Sequence, residues 1–181
     1  MKRVLVTGAR GLLGAAIARE FSTACDVIAF DRAALDITDR AAVARAIADG
    51  QPDVVINCAA FNQVDVAEDD APTALAVNAF GVLSLSELAR QARATLVHYS
   101  TDFVFDGQST RPYTEEDRPN PRGTYAASKL LGDWFALEHP QAYVLRVESL
   151  FGPPGLGGAR QGSLGTIIGR IRAGEPVPVF T

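Results

Sequence analysis

Apolar residues in this chain gather in short, nearly unbroken runs rather than alternating with polar ones. The runs are Arg3–Thr7, Asp26–Phe30, Asp53–Ala59, Thr95–Ser100, Tyr143–Ser149 and Pro176–Phe180. They are rich in Val and Ile and apolar on both faces, the pattern of buried parallel strands. Between them lie longer stretches with helical spacing: Gly11–Ser22, Asp39–Asp49, Ala71–Arg93, Thr124–Glu138 and Ser163–Arg172. Asp39 is a candidate N-cap for the second, which Gly50 and Pro52 close. Alternation of this kind builds βαβ units with right-handed crossovers and predicts a doubly wound open sheet.

Two stretches read as loops. Asp102–Gly123 carries Gly, Pro and a run of acids, and Gly152–Gly162 is dense in Gly and Pro. Both leave the carboxyl ends of strands, where ligands of open α/β sheets bind. The fold class is therefore α/β, a Rossmann-type parallel sheet with helices on both faces. The final run, Pro176–Phe180, is a strand with no helix after it. Residues 1–181 are expected to form one domain, with a further lobe that would close over a bound ligand lying beyond Thr181.

Composition narrows the function class. The chain has 181 residues, 48% of them hydrophobic, enough for one globular domain with a buried core. Its formal charge is −4 and no basic block stands out, which argues against nucleic acid and against an anionic membrane surface as partners. The apolar run Val4–Val6 is too short for a signal sequence or a membrane span, so the expected compartment is cytoplasmic. Cys25 and Cys58 are far apart and lack metal-ligand spacing; they read as small buried apolar side chains of a reduced protein. His98 reads as a hydrogen-bonded core or strand residue, and His139, just before Pro140, as a helix C-terminal one. Neither has the company of a metal site. Trp134 is expected in the core, and Glu115-Glu116-Asp117 on a solvated loop face.

Chemistry enters at Thr7-Gly8-Ala9-Arg10-Gly11-Leu12-Leu13-Gly14, a glycine-rich string that follows a predicted strand and opens a predicted helix. In that context Gly8 permits the tight turn, Gly11 lets backbone N–H groups approach a pyrophosphate, and Gly14 lets helix and strand pack closely. The second strand ends in Phe30-Asp31-Arg32. Asp31 would accept from adenosine ribose hydroxyls and favour NAD. Arg32, with Arg10 of the loop, would instead hold a 2′-phosphate and favour NADP. The balance tips to NADP(H), with NAD(H) still open. Asp36-Ile37 is placed to meet the adenine edge.

The second piece of chemistry is Tyr125-Ala126-Ala127-Ser128-Lys129, a phenol and an ammonium at i and i+4 on one helix face. A free tyrosine has a pKa of about 10, and the neighbouring ammonium is expected to lower it toward a working acid–base range. Thr101, or Ser100 beside it, ends the strand Leu96–Ser100 and would donate to a carbonyl oxygen as negative charge develops there.

Taken together these residues resemble the extended short-chain dehydrogenase/reductases, and within them the dTDP-4-dehydrorhamnose reductase family. The resemblance runs from Met1 to about Phe151. It rests on Thr7–Gly14, Leu35–Asp39, Pro52–Ala60 with Val64-Asp65, Val77-Asn78, Tyr125–Lys129, and above all Ser100-Thr101-Asp102-Phe103-Val104-Phe105-Asp106-Gly107. It implies NAD(P)H-dependent reduction of the 4-keto group of a nucleotide-linked deoxysugar. Thr101, Tyr125 and Lys129 would carry the chemistry, Tyr125 giving its proton to the C4 oxygen. Ala59 and Ala60 would line the cofactor, together with Leu12 and Leu13 of the glycine loop. Asn62, Val64 and Asp102 would face the substrate. A homodimer is left open. After the last strand of the resemblance the rhamnose branch often reads Arg-Thr-Ser-Trp-aliphatic-Tyr-Gly, whereas this chain has Arg146-Val147-Glu148-Ser149-Leu150-Phe151-Gly152. Ser149 therefore stands where a sugar-facing Trp would. Two alternatives share the superfamily: an epimerase or dehydratase with bound NAD, and a non-catalytic NADP-binding regulatory subunit similar to the methionine adenosyltransferase β-subunit.

Overall fold

In a computed structural model, residues 1–152 and 163–177 are described. Five strands form one parallel sheet: β1 (Arg3–Thr7), β2 (Asp26–Phe30), β3 (Val54–Asn57), β4 (Thr95–Thr101) and β5 (Ala142–Val147). Their spatial order is β2-β1-β3-β4-β5, every neighbouring pair parallel. The chain leaves β1 in one direction to reach β2 and returns on the other side for β3. That reversal opens a crevice at the carboxyl ends of β1 and β3, where ligands of such sheets bind. The expected strands thus form at five of the six runs. Pro176 and Val177 are irregular, and residues 178–181 lie outside the described residues, as do 153–162 of the second expected loop.

The central strands are buried on both faces, as their two-sided apolar runs require, whereas the edge strand β5 leaves Tyr143 and Leu145 exposed. On one face Val4, Val6 and Ile56 pack with Ile17 of α1 (Leu12–Phe21). On the other, Leu5, Val55 and Leu96 meet Val43 and Ile47 of α2 (Arg40–Gly50), Val82 and Leu85 of α5 (Gly81–Gln91), and Ala136 of α6 (Thr124–Leu137). Asp39 caps α2 as expected, its carboxylate accepting from Ala42 N at 3.0 Å. A final helix, α7, spans Ser163–Ala173.

The expected helix over 71–93 is more elaborate. It begins as α4 (Ala71–Leu75), capped by Asp70 through Thr73 N, widens into a π turn at Ala76–Phe80, and continues as α5. A short helix, α3 (Val64–Asp69), precedes it. By length and composition Ala71–Gln91 would suffice to cross a membrane. Its apolar residues Ala74, Ala79, Val82, Leu85 and Ala89 are instead sunk in the fold, so it is a core helix. Trp134 corrects another expectation: it is 58% exposed on the outer side of α6. The inward face of that helix is taken by Ala126, Leu130, Gly132 and Ala136, leaving the indole outside.

Candidate functional site

The carboxyl ends of β1, β3 and β4 converge at one edge of the sheet, and the sequence-predicted site residues collect there. Gly8 turns the chain out of β1 with φ +65°, and a Cβ on it would stand 2.7 Å from the Cys58 carbonyl. A Cβ on Gly14 would strike the Gly8 carbonyl oxygen. Both must be glycine for strand, loop and helix to approach so closely. Gly11 N–H donates to Gly8 O at 2.9 Å, and Gly11 caps α1 without any side-chain hydrogen bond. The first turn of α1, with Leu12, Leu13 and Gly14, therefore offers backbone N–H groups and the positive end of the helix dipole to an anion. Such a cradle, filled by any Cβ and capped by no side chain, fits a cofactor pyrophosphate.

Asp31 lies at the end of β2 and accepts from Ala34 N at 2.9 Å. Arg10 sits 3.5 Å from it, and Arg32 is 3.7 Å from Asp36. Both arginine side chains are mostly in solvent, 65% and 78% exposed. Asp36 is held below the usual carboxylate range, chiefly by accepting from Thr38 N, with Arg32 contributing. Ile37 departs from expectation: its side chain is buried in the core, where Gly81 leaves room for it. Only its main chain is left to meet a ligand. Ala59 and Ala60 follow β3 at the crevice, and Ala59 N–H donates to Asn57 Oδ1 at 3.1 Å.

A row of side chains crosses the sheet just below this edge. Thr7 Oγ1 donates to Asn57 Oδ1 at 2.6 Å, and Asn57 Nδ2 lies 3.1 Å from His98 Nδ1. Because Asn57 Oδ1 already accepts twice, its amide nitrogen faces His98 as donor, which makes Nδ1 the acceptor and puts the ring proton on Nε2. His98 is thus neutral, and burial pushes its pKa well below 6.5. The expectation of a hydrogen-bonded strand residue holds. So does the placement of His139 at the end of α6, where Nε2 lies 2.8 Å from the Ala94 carbonyl.

Tyr125 and Lys129 occupy successive turns of α6. Thr101 ends β4, its hydroxyl 3.1 Å from Asp102 Oδ1 and accepting from Phe103 N at 3.2 Å. Burial raises the Tyr125 pKa above 10; the facing Thr101 hydroxyl opposes this and Asp102 adds to it. This corrects the expected lowering by Lys129. The lysine Nζ is turned to the Tyr99 carbonyl at 2.6 Å, and Lys129 is only 2% exposed. Burial pulls its pKa from 10.5 to about 8, with Asp133 and then Cys58 opposing. Burial likewise pushes the Cys58 thiol up to about 12, so it is inert at neutral pH.

Four residues that secure this geometry were not assigned roles from the sequence. Glu68 of α3 accepts from Thr124 N and from Thr124 Oγ1, both at 2.7 Å, and so caps the helix that carries Tyr125. Asn78, in the π turn, donates to the Phe61 carbonyl and to Ser128 Oγ and accepts from Phe61 N. It ties the 57–63 loop to α6. Gly132 lets the two helices meet at backbone contact, since a Cβ there would strike the Asn78 carbonyl. Asp133 is the fourth, fully buried one helical turn after Lys129. A Glu in an acid-rich hexapeptide and an Asn inside a long apolar helix carry no local signal, because their partners lie 17 to 56 residues away. Asn62 and Val64 stand on the exposed side of the loop and α3, and Asp102 at the mouth beside Thr101. Ser149 follows β5 and is exposed, as is Glu148. In the acidic loop Glu115 and Glu116 are exposed, while Asp117 pairs with Arg111 at 2.6 Å. Among the described residues no group of three or more His, Cys, Asp or Glu could hold a metal ion.

A parallel sheet with its crevice at the glycine turn, and a Thr–Tyr–Lys set beside it, defines a nucleotide-binding domain of the Rossmann type. The family model described as "RmlD substrate binding domain" matches residues 1–180, and the chain belongs to that family, the dTDP-4-dehydrorhamnose reductases. It is 42% identical over 160 residues to the dTDP-4-dehydrorhamnose reductase of Streptomyces griseus, covering 84% of this chain and 51% of that protein. To the enzyme of the same name from Mycobacterium tuberculosis (strain CDC 1551 / Oshkosh) it is 43% identical over 151 residues, covering 80% and 49%. The crystal structure of dTDP-4-dehydrorhamnose reductase from Bacillus anthracis, a complex with NADP, superposes with a TM-score of 0.90 at 33% identity, over 96% of this chain and 61% of that one. The chain thus spans about half the length of the curated relatives it matches.

Proposed function

We propose that the protein reduces the 4-keto group of a nucleotide-linked deoxysugar at the expense of NAD(P)H. One observation carries the reading: Thr101, Tyr125 and Lys129 meet at the sheet edge that also holds the uncapped, glycine-lined N-terminus of α1. Gly8, Arg10, Gly11, Leu12, Leu13 and Gly14 would hold the cofactor pyrophosphate, Asp31, Arg32, Asp36 and the Ile37 main chain its adenosine, and Ala59, Ala60, Tyr125 and Lys129 its nicotinamide half. When bound, the dihydronicotinamide supplies the hydride that the carbonyl carbon accepts.

The chain's own residues do the rest. Tyr125, raised above pKa 10, keeps its proton at neutral pH and can give it to the C4 oxygen. Thr101 donates to that oxygen as charge builds. Lys129, charged and buried with its Nζ on the Tyr99 carbonyl, would hold the cofactor ribose, and water reprotonates the phenolate left behind. Asn62, Val64 and Asp102 would contact the sugar. A regulatory subunit would need no such acid held at working distance from a threonine.

NADP(H) is the preferred cofactor and NAD(H) a usable one. Support comes from Arg10 and Arg32, which the nearby carboxylates hold only at 3.5 and 3.7 Å and which remain free to turn to a 2′-phosphate. The NADP complex of the Bacillus anthracis relative points the same way. The compartment is taken as cytoplasmic, in keeping with two free cysteines. A homodimer would have the exposed Trp134 and Leu137 of α6 available for contact.

The test is NADPH consumption by the full-length protein on addition of a dTDP-4-keto-6-deoxy sugar. Tyr125→Phe should lose turnover by about 100-fold or more while binding NADPH as before. Equal turnover in that variant would remove Tyr125 as the acid. Failure of every ketosugar in a broad panel, with cofactor bound, would remove the reaction.

A further inference from the structure

Behind the Tyr125–Lys129 face lies a buried polar cluster that the reaction above does not use. Asp133 follows Lys129 by one helical turn on the same face of α6, and both are buried. Asp133 Oδ2 accepts from Arg146 Nε at 3.2 Å. Its Oδ1 has no hydrogen-bond partner and lies 3.9 Å from His98 Nε2, which has none either. Ser100, two residues along β4 on the same side as His98, completes the cluster. Its hydroxyl makes no close hydrogen bond but still acts on the Asp133 carboxylate, whose pKa burial raises while Ser100, Arg146 and Lys129 pull it down.

A carboxylate in such a place costs several kcal/mol of desolvation, and a buried ion pair adds little net stability over apolar packing. Tethering α6 to β5 through Arg146 does not by itself call for it. The surroundings of Lys129 suggest what does. From β4 it meets the Tyr99 carbonyl and the neutral His98 ring, and from the end of β3 the un-ionised Cys58 thiol. Asp102 acts on Tyr125 rather than on the lysine. Among these groups Asp133 alone brings negative charge to the ammonium, and Arg146 of β5, stacked over the Phe105 ring at 5.2 Å, fixes where that charge sits.

We propose that Asp133 is a positioning residue for the reduction: anchored by Arg146, its carboxylate keeps Lys129 an ammonium, seated against the Tyr99 carbonyl. The proposal rests on reading Tyr125 and Lys129 as the reduction site. Its physical content is that a lysine this deeply buried would otherwise shed its proton near neutral pH, and only the charged amine offers three donors, one for the Tyr99 carbonyl and the others for the cofactor ribose.

The chain contains two lysines, Lys2 and Lys129, so the charge of Lys129 can be read directly. The full-length protein is labelled with ε-13C-lysine and titrated by NMR, with the Lys129 signal assigned by its loss in Lys129→Arg. Wild type should be mostly charged at pH 7. Asp133→Asn, which keeps the shape and an acceptor for Arg146, should cut the ratio of charged to neutral Lys129 by about tenfold or more, one pH unit in midpoint. Asp133→Glu should bring the midpoint back. Turnover of Asp133→Asn should recover as pH is lowered and Lys129 recharges, a pH dependence that a mere tether would not create. A Lys129 midpoint unchanged in Asp133→Asn overturns the proposal, whatever happens to activity. If that variant does not fold, a wild-type midpoint below pH 7 overturns it equally, and one near 8 with an ionised Asp133 carboxylate in the infrared spectrum supports it. The titration needs no substrate. A shifted midpoint in a protein that reduces no ketosugar would therefore sink the proposed reaction and leave the hold of Asp133 on Lys129 standing.

Discussion

Lys129 is buried although it is an amine, and that burial has a measurable consequence for the fold as well as for the chemistry. Its folded pKa, about 8, lies below the unfolded 10.5. The fold is thus penalised below pH 8, and the penalty fades as pH rises from 8 to 10.5. At about 1.4 kcal/mol per pH unit the penalty is roughly 3 kcal/mol, offset by about 1 kcal/mol from the bond to the Tyr99 carbonyl. Lys129→Met should therefore stabilise the protein at pH 7 by about 2 kcal/mol while abolishing turnover. Urea unfolding at pH 7 and pH 10 checks this, because the advantage must shrink at the higher pH. A second residue-scale expectation concerns Arg32. Arg32→Ala should weaken NADPH several-fold more than NADH in fluorescence titrations. An unchanged ratio would mean that this guanidinium, held by Asp36 at 3.7 Å, takes no part in cofactor choice.

At the scale of elements, the site is made by α6 and the pieces that grip it. Glu68 clamps its first turn from α3, Asn78 clamps Ser128 from the π turn, and Gly132 admits the Asn78 carbonyl. π turns of this sort are frequent where a helix must present a side chain out of register. Here the extra width sets Asn78 within reach of both Phe61 and Ser128. Removing the cap by Glu68→Ala should cost about 1 kcal/mol and speed hydrogen exchange at Tyr125, Ala126 and Ala127. Because Tyr125 is the second residue of α6, kcat should fall more than NADPH affinity. Unaltered exchange in that first turn would mean that α6 is held elsewhere.

For the whole molecule, the row of Thr7, Asn57 and His98 ties three strands together beneath the crevice and makes the fold acid-sensitive. His98 is depressed well below 6.5 in the fold. The unfolded chain therefore takes up a proton near pH 6.5 that the folded one refuses, and stability falls as pH drops below that value. The loss should approach about 1.4 kcal/mol per pH unit at full slope. Urea midpoints measured between about pH 6.5 and 5 should show it, and His98→Gln should flatten the dependence. An equally steep fall in that variant would assign the sensitivity to another group.

The sequence by itself determined the parts whose cause is local. Short apolar runs rich in Val and Ile mark the five strands of the sheet, Asp39 announces its helix, and a glycine string that leaves a strand and opens a helix marks a phosphate cradle. Tyr125 and Lys129 were legible for the same reason, since i and i+4 on a helix share a face. Tertiary structure decided whatever depends on a partner distant in the chain. It turned Lys129 to the Tyr99 carbonyl and buried the Tyr125 phenol, and that burial raises rather than lowers its pKa. It drew Ile37 into the core, left Trp134 outside, and recruited Glu68, Asn78 and Asp133. None of those outcomes is written in a short window of residues. A pKa, a rotamer and an exposure are set by the dielectric and the contacts that surround a side chain, and these exist only once the strands and helices have met.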